Sequence, residues 1–486
     1  MNAFMHDSDA FAWYLERDPT LRSTIVGVAW FDRSPDWERF VAKMDRASRS
    51  VPMFRQCVIE PPGRIATPRW TNDSNFDLTW HVRRMDSPAP HTAATVVEFA
   101  RNAAMTAFDH AHPLWEFTLI ERLADGRAAL VMKVHHALTD GIGGMQLALE
   151  LFDIEPDPQE REPRPEAAAG EERGTRAVIA DSLVWNWERA LAVLAHTGSA
   201  TLPTLWRAAR HPIAGFGETV EAARSIARML APVSETLSPI MTERSIARRL
   251  DMVEVKLTDL KRAAATSGGS LNDGFMAAVT GGLRRYHEER GVSVDELRVT
   301  LPISIRKPDD APGGNHITLI RFAVPVSDAD PSSRIRAMGR LCRAARDERS
   351  LRFTGAIAGA LNLLPRGVIG GMLKHIDFLA SDIPGFPFPV YLVGARMERY
   401  VAFGPTTGTS VNFSLLSYDG SCCIGISMDT SAIAEPEALV ECVRKGFEEV
   451  LALGGPHEPA RLPLRETADR PGAHAPRLAR TTVPVA

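Results

Sequence analysis

Cysteine is scarce in this 486-residue sequence: Cys57, Cys342, Cys422, Cys423 and Cys442 are odd in number and scattered, with one adjacent pair. That pattern excludes a disulfide framework and a thiolate metal site, and it suits a reducing cytosol. Long apolar runs are missing too; none reaches the roughly 20 residues that a membrane-spanning helix needs. The opening M-N-A-F-M-H-D-S-D-A has no basic segment followed by an apolar core, so no signal peptide is expected. Neither sign of charge dominates. With 56 Lys and Arg against 60 Asp and Glu, the net charge of −4 gives no nucleic-acid footprint. A G-x-S-x-G elbow is absent, which argues against an α/β-hydrolase lipase. No internal sequence repeat is visible. A cytoplasmic location is expected.

What remains is 45% hydrophobic and 24% charged, the balance of a globular protein too long for one small domain. Residues 1–155 read as mixed α/β. Helices are expected over Asp9–Glu16, after a Ser34 cap with Pro35 at the first position, and over Thr95–Phe108. Strands are expected over Ser23–Phe31, Arg55–Glu60, Phe76–Met85, Trp115–Ile120 and Ala128–Val134. Glu155–Thr175, rich in Pro, Glu and Arg, reads as a linker. Ala177–Thr197 repeats apolar residues every three or four positions, and further helices are expected over Thr204–Arg210 and Gly217–Leu230. These connector helices either pack on the body of the protein or present Trp185, Trp187 and Trp206 to a membrane surface. The mixed acidic and basic polar faces favour packing. A second α/β region runs from Asp251 to Leu453. It holds a capping box at Ser270–Asp273, a buried strand over Arg298–Ile305 and a hairpin across Asp419–Gly420. The tail from Pro456 offers little to pack and is expected to be disordered.

The most informative stretch is Val131–Met145, V-M-K-V-H-H-A-L-T-D-G-I-G-G-M. An apolar strand delivers His135 and His136, a tight polar loop follows, and Met145–Phe152 has helical spacing. A loop at the end of a buried strand can hold a base rigidly beside a cavity. Two plainer readings compete: an ordinary hydrogen-bonded histidine pair, and a metal site. The second is disfavoured, because zinc-binding pairs on one element sit several residues apart and the cysteines lie elsewhere. Asp140 lies four positions after His136, and Gly141, Gly143 and Gly144 allow a substrate to come close to the backbone.

The whole string resembles the HHxxxDG motif of the CoA-dependent acyltransferase superfamily, which includes chloramphenicol acetyltransferase, peptide-synthetase condensation domains and the bacterial wax ester synthase/diacylglycerol acyltransferases. Other segments are similar to the last branch: V-P-M-F-R-Q at Val51–Gln56, F-D-L-T-W-H-V-R-R at Phe76–Arg84, P-L-W at Pro113–Trp115, N-D at Asn272–Asp273, L-P-I-S-I-R at Leu301–Arg306, G-N at Gly314–Asn315 and N-F-S-L-L-S-Y-D-G at Asn412–Gly420. The chain departs from that pattern in three places. His112 precedes P-L-W where Arg or Lys is usual, His316 replaces a common Arg, and A-S-D-I-P-G at Ala380–Gly385 carries Asp382 for Asn and is followed by Phe386 for Pro. The turn at Ala380–Gly385 is expected to survive, since Asp serves in turns as Asn does.

The resemblance implies an α/β (α+β) fold of two chloramphenicol-acetyltransferase-like domains joined by a helical connector, with a cleft between them. The expected division is 1–155, a connector over 156–250, 251–455, and a tail over 456–486. It implies an acyl-CoA-dependent O-acyltransferase that esterifies diacylglycerol or a long-chain alcohol. His136 is implied as general base, with direct transfer and no acyl-enzyme. His135, Asp140 and Gly141 are implied as motif support, with Asp140 anchoring the loop through an Arg. Pro113, Leu114, Trp115, Asn272, Asp273 and Asn412 are substrate-cleft candidates. For Pro113–Trp115 a packed strand-entry turn is the stronger reading, and for Asn272 a cap or packing role weighs equally. Acyl-CoA enters as substrate; no cofactor or metal is implied. The partners are acyl-CoA and a lipid alcohol or diacylglycerol, met at a membrane or lipid-droplet surface. Two alternatives stay open: a condensation-type transferase fed by a carrier-protein thioester, and a non-catalytic lipid-binding protein.

Overall fold

The computed structural model describes residues 4–139, 141–158, 180–182, 184–185, 187, 233–304, 317–346, 371 and 373–466. In the first part, helix α1 (Asp7–Leu15) leads into β1 (Thr24–Phe31), followed by α2 (Trp37–Ser50), the short pair β2 (Gln56–Ile59) and β3 (Arg69–Asn72), and α3 (Leu78–His81). Then come β4 (Val82–Asp86), α4 (Ala93–Met105), β5 (Trp115–Glu121), β6 (Ala128–His135) and α5 (Gly141–Leu151). The second part holds β7 (Arg248–Lys256), α6 (Leu257–Thr266), α7 (Leu271–Glu288), β8 (Glu296–Ser304), β9 (Ile317–Pro325) and α8 (Pro331–Arg346). It closes with β10 (Phe378–Ile383), β11 (Tyr391–Leu392), β12 (Ala395–Phe403), β13 (Val411–Tyr418), β14 (Ser421–Asp429) and α9 (Pro436–Ala452).

Two six-stranded sheets organise these elements, in the orders β11-β12-β1-β6-β5-β4 and β7-β14-β13-β10-β8-β9. The sheets do not divide the chain at one point, because β11 and β12 come from the second part yet complete the first sheet. β12 pairs antiparallel with β1, Val26 opposite Phe403, with a register shift at Trp30/Phe31. β1 and β6 are apolar along nearly their whole length because both faces are covered. Leu130 and Met132 face the cluster that includes α2 and α5, while Val131 faces α4 and β7. Helices α6, α7, α8 and α9 cover one face of the second sheet. Their closest approach is between α7 and α9, where a Cβ on Gly446 would lie 2.2 Å from Ala278 O. The sheets themselves meet through β12 and β14, where a Cβ on Gly425 would lie 2.2 Å from Ala402 O.

Several local expectations change. Asp36, not Ser34, caps α2: its carboxylate accepts from Arg39 N at 2.9 Å, so Pro35 falls outside the helix. An anionic acceptor beside the helix dipole is the stronger cap here. Phe76–Met85 is not one strand. Asp77 caps the single turn of α3 by accepting from Thr79 N at 2.9 Å, and extended chain begins only at Val82. Ala380–Ile383 belongs to β10, with Asp382 opposite Leu415, so the turn starts later. The first part of the tail packs: Arg461 pairs with Glu254, and Leu462 is buried. The hairpin at Asp419–Gly420 has φ values of 42° and 80°, which a two-residue type I′ connection requires. The capping box at Ser270–Asp273 is complete. In the connector, Trp185 stacks on Phe4 at 5.1 Å and Asp181 meets Arg69 at 2.6 Å, while Trp187 is 67% exposed. Thr204–Arg210, Gly217–Leu230 and Trp206 lie outside the described residues. Among the described residues, no helix is long and apolar enough to cross a membrane.

Candidate active site

Strand β6 ends in a turn that treats its two histidines differently. His135 is fully buried, whereas His136 keeps part of its surface exposed and buries its Nδ1. The turn is tied to its surroundings through the backbone. His135 N donates to Leu114 O at 3.0 Å, His136 N to Ser23 O at 2.9 Å, and Leu138 N to His135 O at 3.0 Å. His135 also takes Ala137 N–H on its Nδ1 at 3.0 Å. Thus the chain just before β1 and the residue before β5 grip the turn from two sides. Asp140 lies outside the described residues, as does the Arg306 segment with Gly314, Asn315 and His316. Gly141 begins α5 directly after Asp140.

Glu16, which nothing in the sequence singles out, reaches the same place from the end of α1. Its Oε2 lies 3.5 Å from His135 Nε2 and accepts from Ser23 N at 3.0 Å. Burial would raise the pKa of this carboxyl. The His135 contact, the Ser23 N–H and the positive charge of Arg22 outweigh it and hold the pKa below the ordinary value, so Glu16 is an anion. Nothing local in W-Y-L-E-R announces this. A glutamate at a helix end reads as exposed until β1 folds back over it.

The P-L-W segment supports the turn. Pro113, Leu114 and Trp115 are all buried. Leu114 reaches the turn through its carbonyl. The Trp115 indole donates to Phe54 O at 2.9 Å and stacks on Phe54 and His81, with centroids 4.8 and 4.5 Å apart. Asn272 and Asp273 sit at the start of α7. Asp273 is spent in the capping box, and Asn272 donates to Cys342 Sγ at 3.5 Å. These bonds run within α7 and across to α8. Asn412 is buried in β13, where it donates to Pro405 O at 2.6 Å and accepts from Ser414 Oγ at 3.1 Å. It therefore shapes the loop after β12.

That loop lines a polar cavity at the junction of the two sheets. Arg22, Thr24, Met105, Arg248, Thr406 and Ser427 contribute to its wall. Thr24 lies directly opposite His135 in the β1–β6 ladder. Arg248, half-buried, lies 3.2 Å from the buried carboxylate of Asp429. The buried Oγ1 atoms of Thr24 and Thr406 have no hydrogen-bond partner among the described residues.

The thiols are poor nucleophiles here. Burial pushes Cys57, Cys422 and Cys442 up to about 12, and raises Cys342 and Cys423 as well. All five stay protonated at neutral pH. Asp382, by contrast, is raised by burial to about 6, against the pull of Arg346 and Lys261. Among the described residues, no cluster of three or more His, Cys, Asp or Glu could hold a metal ion.

Comparison with known proteins gives a consistent picture. Residues 5–275 match the family profile of the wax ester synthase/diacylglycerol acyltransferase catalytic domain, and residues 313–450 that of the corresponding C-terminal domain. A protein of Mycobacterium tuberculosis (strain H37Rv), provisionally named a diacylglycerol O-acyltransferase, is 35% identical over 457 residues, covering 92% of this chain and 91% of its own. A second protein of that strain with the same provisional name is 28% identical over 465 residues, covering 91% of this chain and 88% of its own. Among solved structures, the wax ester synthase/diacylglycerol acyltransferase of Marinobacter aquaeolei VT8 superposes with a TM-score of 0.62 at 19% identity, covering 93% of this chain and 100% of that one. The first condensation domain of the calcium-dependent antibiotic synthetase superposes with a TM-score of 0.61 at 14% identity, covering 95% and 98%.

Proposed function

Because the chain belongs to the wax ester synthase/diacylglycerol acyltransferase family, we propose that His136 is the general base of an acyl transfer from acyl-CoA to a lipid hydroxyl. The chain is an O-acyltransferase that esterifies diacylglycerol or an alcohol. The fold alone does not select this reading, since a condensation domain superposes as well as a family member does. The family profiles, which span both parts of the chain, make the selection.

The single observation that carries the mechanism is the split between the two histidines. His135 is enclosed and bonded, while His136 remains partly open on a turn fixed through its backbone. Transfer from a thioester to a hydroxyl needs a base as the oxygen attacks, stabilisation of the tetrahedral oxyanion, and exclusion of water. A neutral imidazole takes the hydroxyl proton and passes it to the departing CoA thiolate. The protonated state of every thiol favours direct attack in a ternary complex over an acyl-cysteine route. Asp140 is the loop anchor in this scheme, and an amide near Gly141 serves the oxyanion. The polar cavity beside Thr24 suits an oxygen-bearing part of a substrate. No cofactor takes part. The water-insoluble acceptor is met at the cytoplasmic surface of a membrane or a lipid droplet.

The test is an acyl-CoA assay with diacylglycerol and hexadecanol as competing acceptors, products resolved by chromatography, on wild type and His136→Ala. The wild type is expected to form ester from at least one acceptor. The variant is expected to lose at least about 100-fold in kcat, as removal of a general base does, while still binding acyl-CoA. Full activity in His136→Ala would overturn the mechanism, and free CoA without either ester would leave at best a thioesterase.

A further inference from the structure

Glu16 touches the catalytic turn at two points, and both lead to the peptide of His136. Through Oε2 it accepts from Ser23 N at 3.0 Å, and the carbonyl of the same Ser23 receives His136 N–H at 2.9 Å. Oε2 also lies 3.5 Å from His135 Nε2, while the opposite nitrogen of that ring receives Ala137 N–H at 3.0 Å. His136 is therefore linked to this carboxylate through Ser23, and Ala137 through His135, whose Nε2 meets Oε2 at ion-pair range and not in a hydrogen bond. Trp13 and Phe108 flank the His135 ring edge-on, at centroid distances of 6.2 and 6.0 Å, and keep the site enclosed.

The arrangement also dictates a tautomer. A backbone N–H can only donate, so His135 Nδ1 must be the acceptor and the ring proton must sit on Nε2, facing Glu16. A carboxylate at that position favours this form. Without it, the other tautomer becomes accessible and sets two N–H groups against each other at Ala137, displacing the turn. Glu16 is 6% exposed, so water does not readily replace it.

We infer that Glu16 is a positioning residue for acyl transfer: acting through His135 and Ser23, it fixes the backbone of His136 and so the direction from which the base meets the acceptor hydroxyl. This rests on His136 being the base. Small misplacements of a reacting group cost as much as about 100-fold in rate.

The test uses the full-length enzyme with palmitoyl-CoA and either dioleoylglycerol or hexadecanol. Glu16→Ala is expected to lower kcat by about 10- to 100-fold while both KM values stay within about twofold, the signature of lost orientation rather than lost binding. Glu16→Gln keeps the shape and an acceptor oxygen, and should recover part of that loss. In a His135→Ala background, Glu16→Ala should cost less in kcat than in the wild type, because the route to His136 through the ring is gone and only the one through Ser23 remains. A Glu16→Gln enzyme with wild-type kcat beside an inactive His136→Ala would overturn the inference alone. Equal losses from Glu16→Ala in the wild-type and His135→Ala backgrounds would overturn the route through His135. Full activity of His136→Ala would overturn the base assignment and this inference with it. Should Glu16→Ala fail to fold, the isosteric Glu16→Gln carries the same comparison in both backgrounds.

Discussion

His81 is a fully buried imidazole stacked between Phe76 and Trp115, its Nδ1–H donating to Trp115 O at 2.7 Å. Burial pulls its pKa below the ordinary 6.5, against the opposing effect of the Trp115 carbonyl and of Asp73 and Glu116; nearby His112 adds to the lowering. The sign follows from proton counting. As pH falls through about 6.5 the unfolded chain binds a proton here and the folded chain does not, so stability falls until the lower folded pKa is reached. Burial lowers His110 and His287 in the same way. Urea unfolding at pH 7, 6 and 5 should show stability declining, with His81 alone contributing up to about 1.4 kcal/mol per pH unit within its window. His81→Asn keeps a donor for the Trp115 carbonyl and should flatten that slope. A variant with the wild-type slope would show that His81 does not carry it. Residue roles are unevenly legible in the sequence. The histidine pair stands out because an apolar strand delivers it into a glycine-rich loop. Glu16 is invisible there because its burial is decided by a chain reversal and not by its neighbours. Trp115 is legible as a packed indole, since a bulky ring next to Pro113 at a strand entry has few other places to go.

At the scale of elements, the contact of α7 with α9 depends on missing side chains. A Cβ on Gly446 would meet Ala278 O at 2.2 Å, and one on Gly282 would meet Val443 Cα at 2.6 Å. Alanine at position 446 gains intrinsic helix propensity, about 1 kcal/mol, yet it must push two helices apart. The net expectation for Gly446→Ala is a loss of about 1–3 kcal/mol, read by denaturant unfolding. A gain in stability would mean that the helices can part without cost. Such close approaches cannot be read in the sequence, where a glycine inside a helix pattern only weakens the pattern. Elements whose signal is local are legible. The capping box at Ser270 and the Asp419–Gly420 turn carry their hydrogen-bonding logic within four residues. The cap of α2 is not legible in this way, because Ser34 and Asp36 are both competent and only the geometry of the chain entering the helix decides between them.

For the whole molecule, the first sheet is incomplete without the last third of the chain. β12 covers the open edge of β1, and Val401 and Phe403 enter the cluster shared with Val26 and Val28. A fragment ending at residue 250 should leave that edge and its apolar surface open, and should be insoluble or lack cooperative thermal unfolding. Co-expression with residues 251–486 should restore a folded, co-purifying pair. A fragment that unfolds cooperatively alone would contradict the shared sheet. This exchange leaves no trace in the sequence, because a strand signal names no partner.

The crossing of β12 has a consequence for how such chains can be recombined. A chimera joined near residue 250 would not exchange two independent modules. The strand from one parent would lie against β1 of the other, in a register that includes the shift at Trp30/Phe31. Parental halves are thus bound by a pairing code written in both, and differences in acceptor preference between relatives cannot be assigned to one half simply by swapping it.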